Sequence, residues 1–154
     1  MDSPPAKSKI IRTIITAWLV VGILDISSAI VIWWTRGVSL TRGLQGITAG
    51  LLGRAASDGG TATATSGLAI HFFIAFVVVT VFYLASRQIL FLTQHAVISG
   101  IVYGIGVYLV MYWIVLPTTF VTFHHRLFND ALAVAIHITL IGLPTALIVR
   151  RYTM

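Results

Sequence analysis

The feature that most constrains this chain is a set of four long apolar segments, at residues 13–34, 62–85, 95–116 and 131–149. A helix needs about 20 apolar residues to cross the hydrocarbon core of a bilayer, and each segment matches that length. Inside lipid a helix satisfies its own backbone hydrogen bonds, which an irregular segment does not. The sequence therefore predicts an all-α fold, a four-helix transmembrane bundle, forming one integral membrane domain over residues 1–154.

Composition agrees with this prediction and narrows the function. Hydrophobic residues make up 58% of the chain and charged residues only 9%, whereas soluble domains carry roughly 25% charged residues. The net charge of +6 comes from Lys and Arg residues in the connecting segments, not from one basic face, so no nucleic-acid partner is expected. Cysteine and glutamate are absent, and no hydrolase, zinc-protease or nucleotide-binding motif occurs. An enzyme is therefore not the favoured interpretation.

The distribution of basic residues favours one orientation. Cytoplasmic segments of membrane proteins carry more Lys and Arg than the opposite side. With both termini cytoplasmic, the inner side carries Lys7, Lys9, Arg12, Arg87, Arg150 and Arg151, and the outer side carries Arg36, Arg42, Arg54 and Arg126. The sequence therefore predicts a multi-pass membrane protein with both termini in the cytoplasm.

The longest connection, residues 37–60, predicts a short amphipathic helix at the outer face. Leu40, Leu44, Ile47 and Leu51 recur at helical spacing and form one apolar stripe. A second stripe of glycines, which includes Gly46 and Gly50, would permit close backbone approach. This helix is expected to lie on the membrane surface or to dip towards the bundle.

Asp25 is the most informative residue for function. An aspartate at the centre of a spanning helix costs about 2.5–3.5 kcal/mol on the insertion scale, and such residues usually face the bundle interior and mark a pathway or relay. Gly22, Ser28 and Ala29 lie three or four positions away, on the same helical face. Small residues indicate the close approach of a neighbouring helix, so Asp25 is predicted to point inward.

Two histidines lie at a similar depth. At about 1.5 Å per residue, Asp25 lies about 14 Å below Trp34, while His71 and His137 lie about 13 Å and about 9 Å below the outer ends of their helices. A short repeat, residues 68–71 and 134–137, places both histidines alike. We therefore expect Asp25, His71 and His137 to converge as a polar cluster.

Several functions remain open for such a cluster. It could carry protons or a small solute. Its three side chains could hold a divalent metal, or its two histidines could hold a haem in a redox subunit; no cofactor is required by the sequence. A purely structural role in fixing helix register is the alternative to all of these. The glycine-rich faces also leave open a structural accessory subunit of a larger membrane complex.

Other residues indicate helix packing. Gly100-x-x-x-Gly104 in the third span is a small-xxx-small motif, which serves contacts within a chain, in a homo-oligomer or in a larger membrane complex. Pro144 is expected to kink the fourth span just below His137. The pair His124-His125 lies in the outer loop and has too few neighbouring ligands to predict a metal site.

Nearly the whole chain resembles a group of small, uncharacterised bacterial inner-membrane proteins with four spans. The resemblance is carried by residues 22–26, 42–46, 50–54, 59–60, 68–75, 83–87, 103–104, 108–111, 142–144 and 150–151. It implies the location and architecture, and it implies that Asp25 and His71 are features of the group. The chain departs from the group at Tyr112, where asparagine is expected, and at Ser57-Asp58, where an aromatic residue is more usual.

Overall fold

A computed structural model describes residues 7–119 and 124–153, and every regular element within them is a helix. The helices are α1 (Lys7–Thr35), α2 (Leu40–Leu52), α3 (Gly60–Gln88), the single turn α4 (Phe91–Gln94), α5 (Ala96–Thr118) and α6 (Leu127–Thr153). By length and composition, α1, α3, α5 and α6 can each cross a membrane. The predicted four-helix bundle with a short helix in the connection between the first two spans is confirmed, and the chain is a multi-pass membrane protein.

Each spanning helix is somewhat longer than the apolar segment that predicted it. For example, α1 begins at Lys7 and α6 continues to Thr153. Helices α1, α3 and α6 continue through flanking residues because neither a proline nor a capping glycine stands directly beside their apolar runs. The bundle has two ends: the α2 end, which contains α2, and the terminal end, which contains the beginning of α1 and the end of α6.

The four spans do not pack equally closely. Helix α1 packs against α3 and α6, and α5 packs against α6. Helices α3 and α5 are joined mainly by Tyr103, whose hydroxyl donates a hydrogen bond to the Val78 carbonyl at 2.6 Å and whose ring packs on Phe82. Because α3 and α5 stay apart towards the α2 end, the bundle keeps an internal space there.

Both α5 and α6 contain a π-helical segment that precedes a proline. The segments are Val110–Val115 and His137–Gly142, and each is followed directly by Leu-Pro-Thr, at residues 116–118 and 143–145. Proline has no N–H, and its ring clashes with the carbonyl four residues earlier. A wider turn before the proline relieves this clash, so the distortion expected at Pro144 takes the form of a π segment rather than a simple kink.

Glycines bring α5 and α6 into backbone contact. A Cβ added at Gly104 would lie 2.6 Å from the His137 carbonyl oxygen, and one at Gly100 would lie 2.9 Å from the Leu143 Cα. A Cβ at Gly142 would meet the Gly100 carbonyl and the Gly104 backbone nitrogen. The Gly100-x-x-x-Gly104 motif thus packs within the chain, and it places His137 directly against α5.

Helix α2 contacts the bundle through small and polar residues. The Thr48 hydroxyl donates to the Thr63 carbonyl at 2.6 Å, and Gln45 Nε2 donates to the Gly60 carbonyl at 3.0 Å. At Gly67, in α3, an added Cβ would collide with the Leu44 carbonyl of α2. The buried face of α2 therefore differs from the predicted leucine stripe.

Two expectations for α2 need correction. Leu40 and Leu51 are 53% and 73% exposed, so only the middle of the leucine stripe packs inward. A Cβ at Gly46 would meet nothing within 4 Å, so Gly46 makes no close backbone contact. Gly46 and Gly50 instead line an internal cavity, because polar side chains already hold α2 against α3.

Candidate functional site

A cavity of about 470 Å³ lies between the four spans at the α2 end. Its wall is formed by α1, α3, α5 and α6, and α2 covers it with Gly43, Gly46 and Ile47. Most of the lining is aliphatic. The polar side chains that line the cavity are those of Asp25, Ser28, His71, Tyr112 and His137. All three residues singled out from the sequence therefore reach one space.

Asp25 and His71 form the closest polar pair in the cavity. The distance from His71 Nδ1 to Asp25 Oδ2 is 3.9 Å, and the side chains are 12% and 28% exposed, respectively. The other ring nitrogen, Nε2, lies 3.0 Å from the Gly22 carbonyl oxygen, one turn before Asp25 on α1. His71 of α3 thus lies between a backbone carbonyl and a carboxylate that both belong to α1.

The Gly22 carbonyl determines which nitrogen of His71 carries a proton. A carbonyl oxygen can only accept, so Nε2 must donate, and neutral His71 presents the lone pair of Nδ1 to Asp25. An ionised carboxylate facing that lone pair would leave one negative charge without compensation in a largely apolar space. One proton added to Nδ1 or to the carboxyl makes the pair neutral overall. The geometry is therefore that of a pair that shares one proton.

The energy of this pair can be bounded from its separation. Opposite unit charges about 4 Å apart attract each other by about 4 kcal/mol at an effective dielectric constant of about 20. The desolvation of both groups opposes this attraction. Moving the proton between the two groups thus changes the free energy less than leaving the carboxylate ionised without a compensating positive charge. Since 3.9 Å exceeds a direct hydrogen bond, a small side-chain rotation or one water completes the connection.

His137 lies in the same cavity but is held differently. Its Nδ1 donates to the Ala133 carbonyl at 2.8 Å, one turn earlier in α6, so the neutral ring keeps its lone pair on Nε2. The rings of Tyr108 and Tyr112 lie edge-on to it, at centroid distances of 5.9 and 5.7 Å. His137 is 8% exposed, and it lies within electrostatic range of Asp25. It makes no hydrogen bond or ion pair with Asp25 or His71 within the described chain.

The repeat noted in the sequence has a structural counterpart. Ile70 and His71 of α3 line the cavity, and so do Ile136 and His137 of α6. The two helices run in the same direction, and each contributes one apolar side chain and one imidazole to the cavity lining. The two imidazoles differ in tautomer, because His71 donates through Nε2 and His137 through Nδ1.

A smaller polar cavity of about 160 Å³ lies beside the main cavity at the α2 end. We call it the vestibule. Arg36, His124, Asn129 and Asp130 line it, and Arg36 donates a hydrogen bond to the Asn129 side chain at 3.1 Å. The residues that line both the vestibule and the main cavity are Ile32, Tyr112, Ala133 and Ile136. The wall between the exposed polar end and the Asp25 cavity is thus one layer of side chains thick.

The terminal end is closed far more thoroughly. One buried apolar cluster lies across the bundle at Ala17, Val21, Val79, Val107 and Ile141. A second lies beyond it, at Phe82, Tyr83, Ala96, Ala146 and Val149. These two layers contain no charged side chain, so they form a barrier to water and ions. The cavity is therefore asymmetric, with its polar approach at the α2 end only.

The three polar residues do not form a metal-ligand set. Within residues 7–119 and 124–153, no group of three or more His, Cys, Asp or Glu side chains is arranged to hold a metal ion. The Nε2 atom of His71, through which histidine commonly binds haem iron, is engaged by Gly22. The metal and haem interpretations of the sequence therefore gain no support from this geometry.

The outer histidine pair contains a contact that sequence reasoning missed. His125 Nδ1 lies 3.2 Å from both carboxylate oxygens of Asp130, and the Trp113 ring stacks on the His125 ring at 4.2 Å. The sequence contained a signal for this contact, because His125 stands only five residues before Asp130, which lies in the first turn of α6. His95 lies between α4 and α5 with its ring near Phe91.

Sequence reasoning also undervalued Tyr112. It was singled out only as a position where the chain departs from the group it resembles, yet it lies in both cavity walls and stacks on Tyr108 at 4.8 Å. The four-residue spacing of the two tyrosines was the available signal. The Gly22 carbonyl left no signal in the sequence, because any residue carries one.

Comparisons with other proteins leave the function of this cavity to be argued from its geometry. The resemblance to small four-span inner-membrane proteins stays a prediction. Protein-family models, curated proteins and solved structures were compared with the chain, and none of them matches it.

Proposed function

We propose that this protein provides a pathway for protons across the bacterial inner membrane, with Asp25 and His71 as the proton-carrying pair. The observation that carries the proposal is the tautomer fixed by Gly22, which leaves the Nδ1 lone pair of His71 facing the carboxylate. A pair that only fixed helix register would be more stable with a direct hydrogen bond at both nitrogens. This pair leaves its proton position open to a cavity.

The asymmetry of the bundle supports a direction of entry. With both termini in the cytoplasm, the α2 end faces outward, and protons reach the cavity through the vestibule that contains Arg36 and Asp130. Tyr112 lies on that route. Release of protons on the other side requires the two apolar clusters of the terminal end to separate. The clusters contain no charged side chain, so their separation breaks no ion pair within them.

The experiment is a proton-flux assay in proteoliposomes. Purified protein is reconstituted with a pH-sensitive dye inside the vesicles, and a pH step is applied with the membrane potential clamped. The variants are Asp25→Asn and, as a matched control, Asp58→Asn, which makes the same chemical change at an exposed site outside the spans. We expect the protein-dependent flux to be lost in Asp25→Asn and kept in Asp58→Asn.

A second variant separates proton transfer from structure. His71→Gln keeps a donor for the Gly22 carbonyl but cannot take up a proton, so we expect a folded protein with strongly reduced flux. Flux that is equal in wild type, Asp25→Asn and His71→Gln would rule out the pathway. Protein-dependent flux that is absent from the wild type under every applied gradient would do the same.

A further inference from the structure

Three polar side chains of the cavity, those of Asp25, His71 and His137, present hydrogen-bond acceptors, whereas Tyr112 carries a hydroxyl that can also donate. Neutral His71 presents the lone pair of Nδ1, and neutral His137 keeps that of Nε2, because carbonyl oxygens take the other ring protons. Asp25 adds a carboxylate with no donor closer than the 3.9 Å contact to His71 in the described chain. Ser28 gives its hydroxyl proton to the main-chain carbonyl of Asp25 at 2.8 Å. Such a site is complementary to a molecule that brings several donors.

The rest of the cavity restricts that molecule further. Its volume of about 470 Å³ lies within the range of about 300–1,000 Å³ found for small-molecule sites. The rest of the lining is mostly aliphatic, with Ile74, Val78, Val107 and Met111 among its residues. A bare metal ion would need several converging ligands, and the described residues form no such group. The cavity therefore suits an organic cation with an apolar body.

We infer that this cavity binds a primary ammonium ion that carries a compact apolar group, in exchange for the proton shared by Asp25 and His71. The ammonium N–H groups donate to the carboxylate and to the imidazole lone pairs, and the apolar group lies against the aliphatic part of the lining. One proton leaves the pair as one monovalent cation enters, so the net charge of the cavity stays constant. No covalent bond forms or breaks in the organic ion.

The surroundings of Asp25 are consistent with a one-for-one exchange. The titratable side chains that line the cavity besides Asp25 are His71 from α3, Tyr112 from α5 and His137 from α6, and α2 contributes none. Arg36 lies in the vestibule, beyond the Tyr112 layer. The carboxylate is thus the one anionic group available to compensate a cation inside the cavity.

This inference rests on the proposed function for its use of the Asp25–His71 pair, but it can be tested without any flux. The experiment is isothermal titration of protein in lipid nanodiscs with 2-phenylethylammonium, and empty nanodiscs correct for partition into lipid. The anion 3-phenylpropanoate, of similar size and opposite charge, is the ligand control. Titrations in buffers of different ionisation enthalpy count the protons released on binding.

We expect saturable binding of the ammonium, release of up to about one proton per ion, and weaker binding as the pH falls. Loss of a charge-assisted hydrogen bond predicts about a tenfold or greater fall in affinity for Asp25→Asn, and no change for Asp58→Asn. Thermal unfolding of each variant shows that it is folded. His71→Gln, which keeps the carboxylate, should still bind but release fewer protons.

Three results would overturn the inference: no saturable binding, equal affinity for 3-phenylpropanoate, or equal affinity in Asp25→Asn. These outcomes are separate from those of the flux assay. Binding with no flux would leave a cation-binding membrane protein and remove the pathway. Flux with no ammonium binding would leave the proton pathway and remove this class of ligand.

Discussion

Replacing Gly104 with alanine places a single methyl group at the closest contact between α5 and α6. The new Cβ would lie 2.6 Å from the His137 carbonyl oxygen and 2.7 Å from the Ile138 Cα, whereas ordinary van der Waals contacts are about 3.5–4.0 Å. Both neighbours are backbone atoms, so no side chain can rotate away. The two helices must therefore separate by about 1 Å, and His137 moves with them.

The expected loss of stability follows from this overlap. Overpacking of a tightly packed site costs about 1–3 kcal/mol. For a chain of this size, each kcal/mol lowers the melting temperature by about 2–4 °C, so a fall of about 2–12 °C is expected. The assay is thermal unfolding in detergent, followed by circular dichroism, with the same detergent and lipid content for every variant.

Gly106 supplies the matched control two residues along the same helix. A Cβ at Gly106 would meet nothing within 4 Å, and alanine favours helix over glycine by about 1 kcal/mol. We therefore expect Gly106→Ala to leave the melting temperature unchanged or to raise it. If Gly104→Ala and Gly106→Ala behave alike, the close contact that places His137 against α5 does not exist in the protein.

Two further predictions concern the covering of the cavity and the access to it. Thr48→Val removes the hydrogen bond from α2 to the Thr63 carbonyl and should lower the free energy of unfolding by about 1 kcal/mol. Thr65→Val, at an exposed position bonded only within α3, should lower it by less than about 0.5 kcal/mol. Equal effects of the two variants would contradict the docking of α2. Because the chain has no cysteine, Ser28→Cys in the cavity can be labelled specifically in oriented vesicles. A charged, membrane-impermeant thiol reagent should react with Ser28→Cys from the α2 side only. Ser27→Cys, on the exposed face of the same helix, should not react. Reaction of Ser28→Cys from the terminal side would contradict an opening of the cavity at the α2 end.

The spans and the similar depth of the three polar residues were predictable because both depend on the regular rise of a helix. Apolar length determines which segments can cross a bilayer. The rise per residue then places Asp25, His71 and His137 at similar depth. Small residues beside Asp25 indicated the face that turns inward, and Asp25 does face the cavity with His71. Depth alone did not predict which side chains contact each other. Asp25 lies beside His71, while His137 is hydrogen-bonded to its own helix.

Other features depend on contacts that leave little trace in the sequence. The apolar stripe of α2 did not indicate that Gln45 and Thr48 lie inside, where the α3 backbone offers them acceptors. The π segments follow from proline sterics combined with the packing of Gly142 against α5, and neither alone determines a π turn. The tautomer of His71 depends on a main-chain carbonyl, which every residue has.

The central claim is that His71 keeps its Nε2 proton for Gly22 and exchanges a proton through Nδ1 with Asp25. Nitrogen-15 solid-state NMR of histidine-labelled protein in lipid bilayers measures this directly, with His71→Gln to assign the signal. The account predicts that Nε2 of neutral His71 carries the proton and donates to Gly22, and that Asp25→Asn changes the chemical shift of Nδ1. A neutral His71 with its proton on Nδ1, or an Nδ1 signal that Asp25→Asn leaves unchanged, would contradict it.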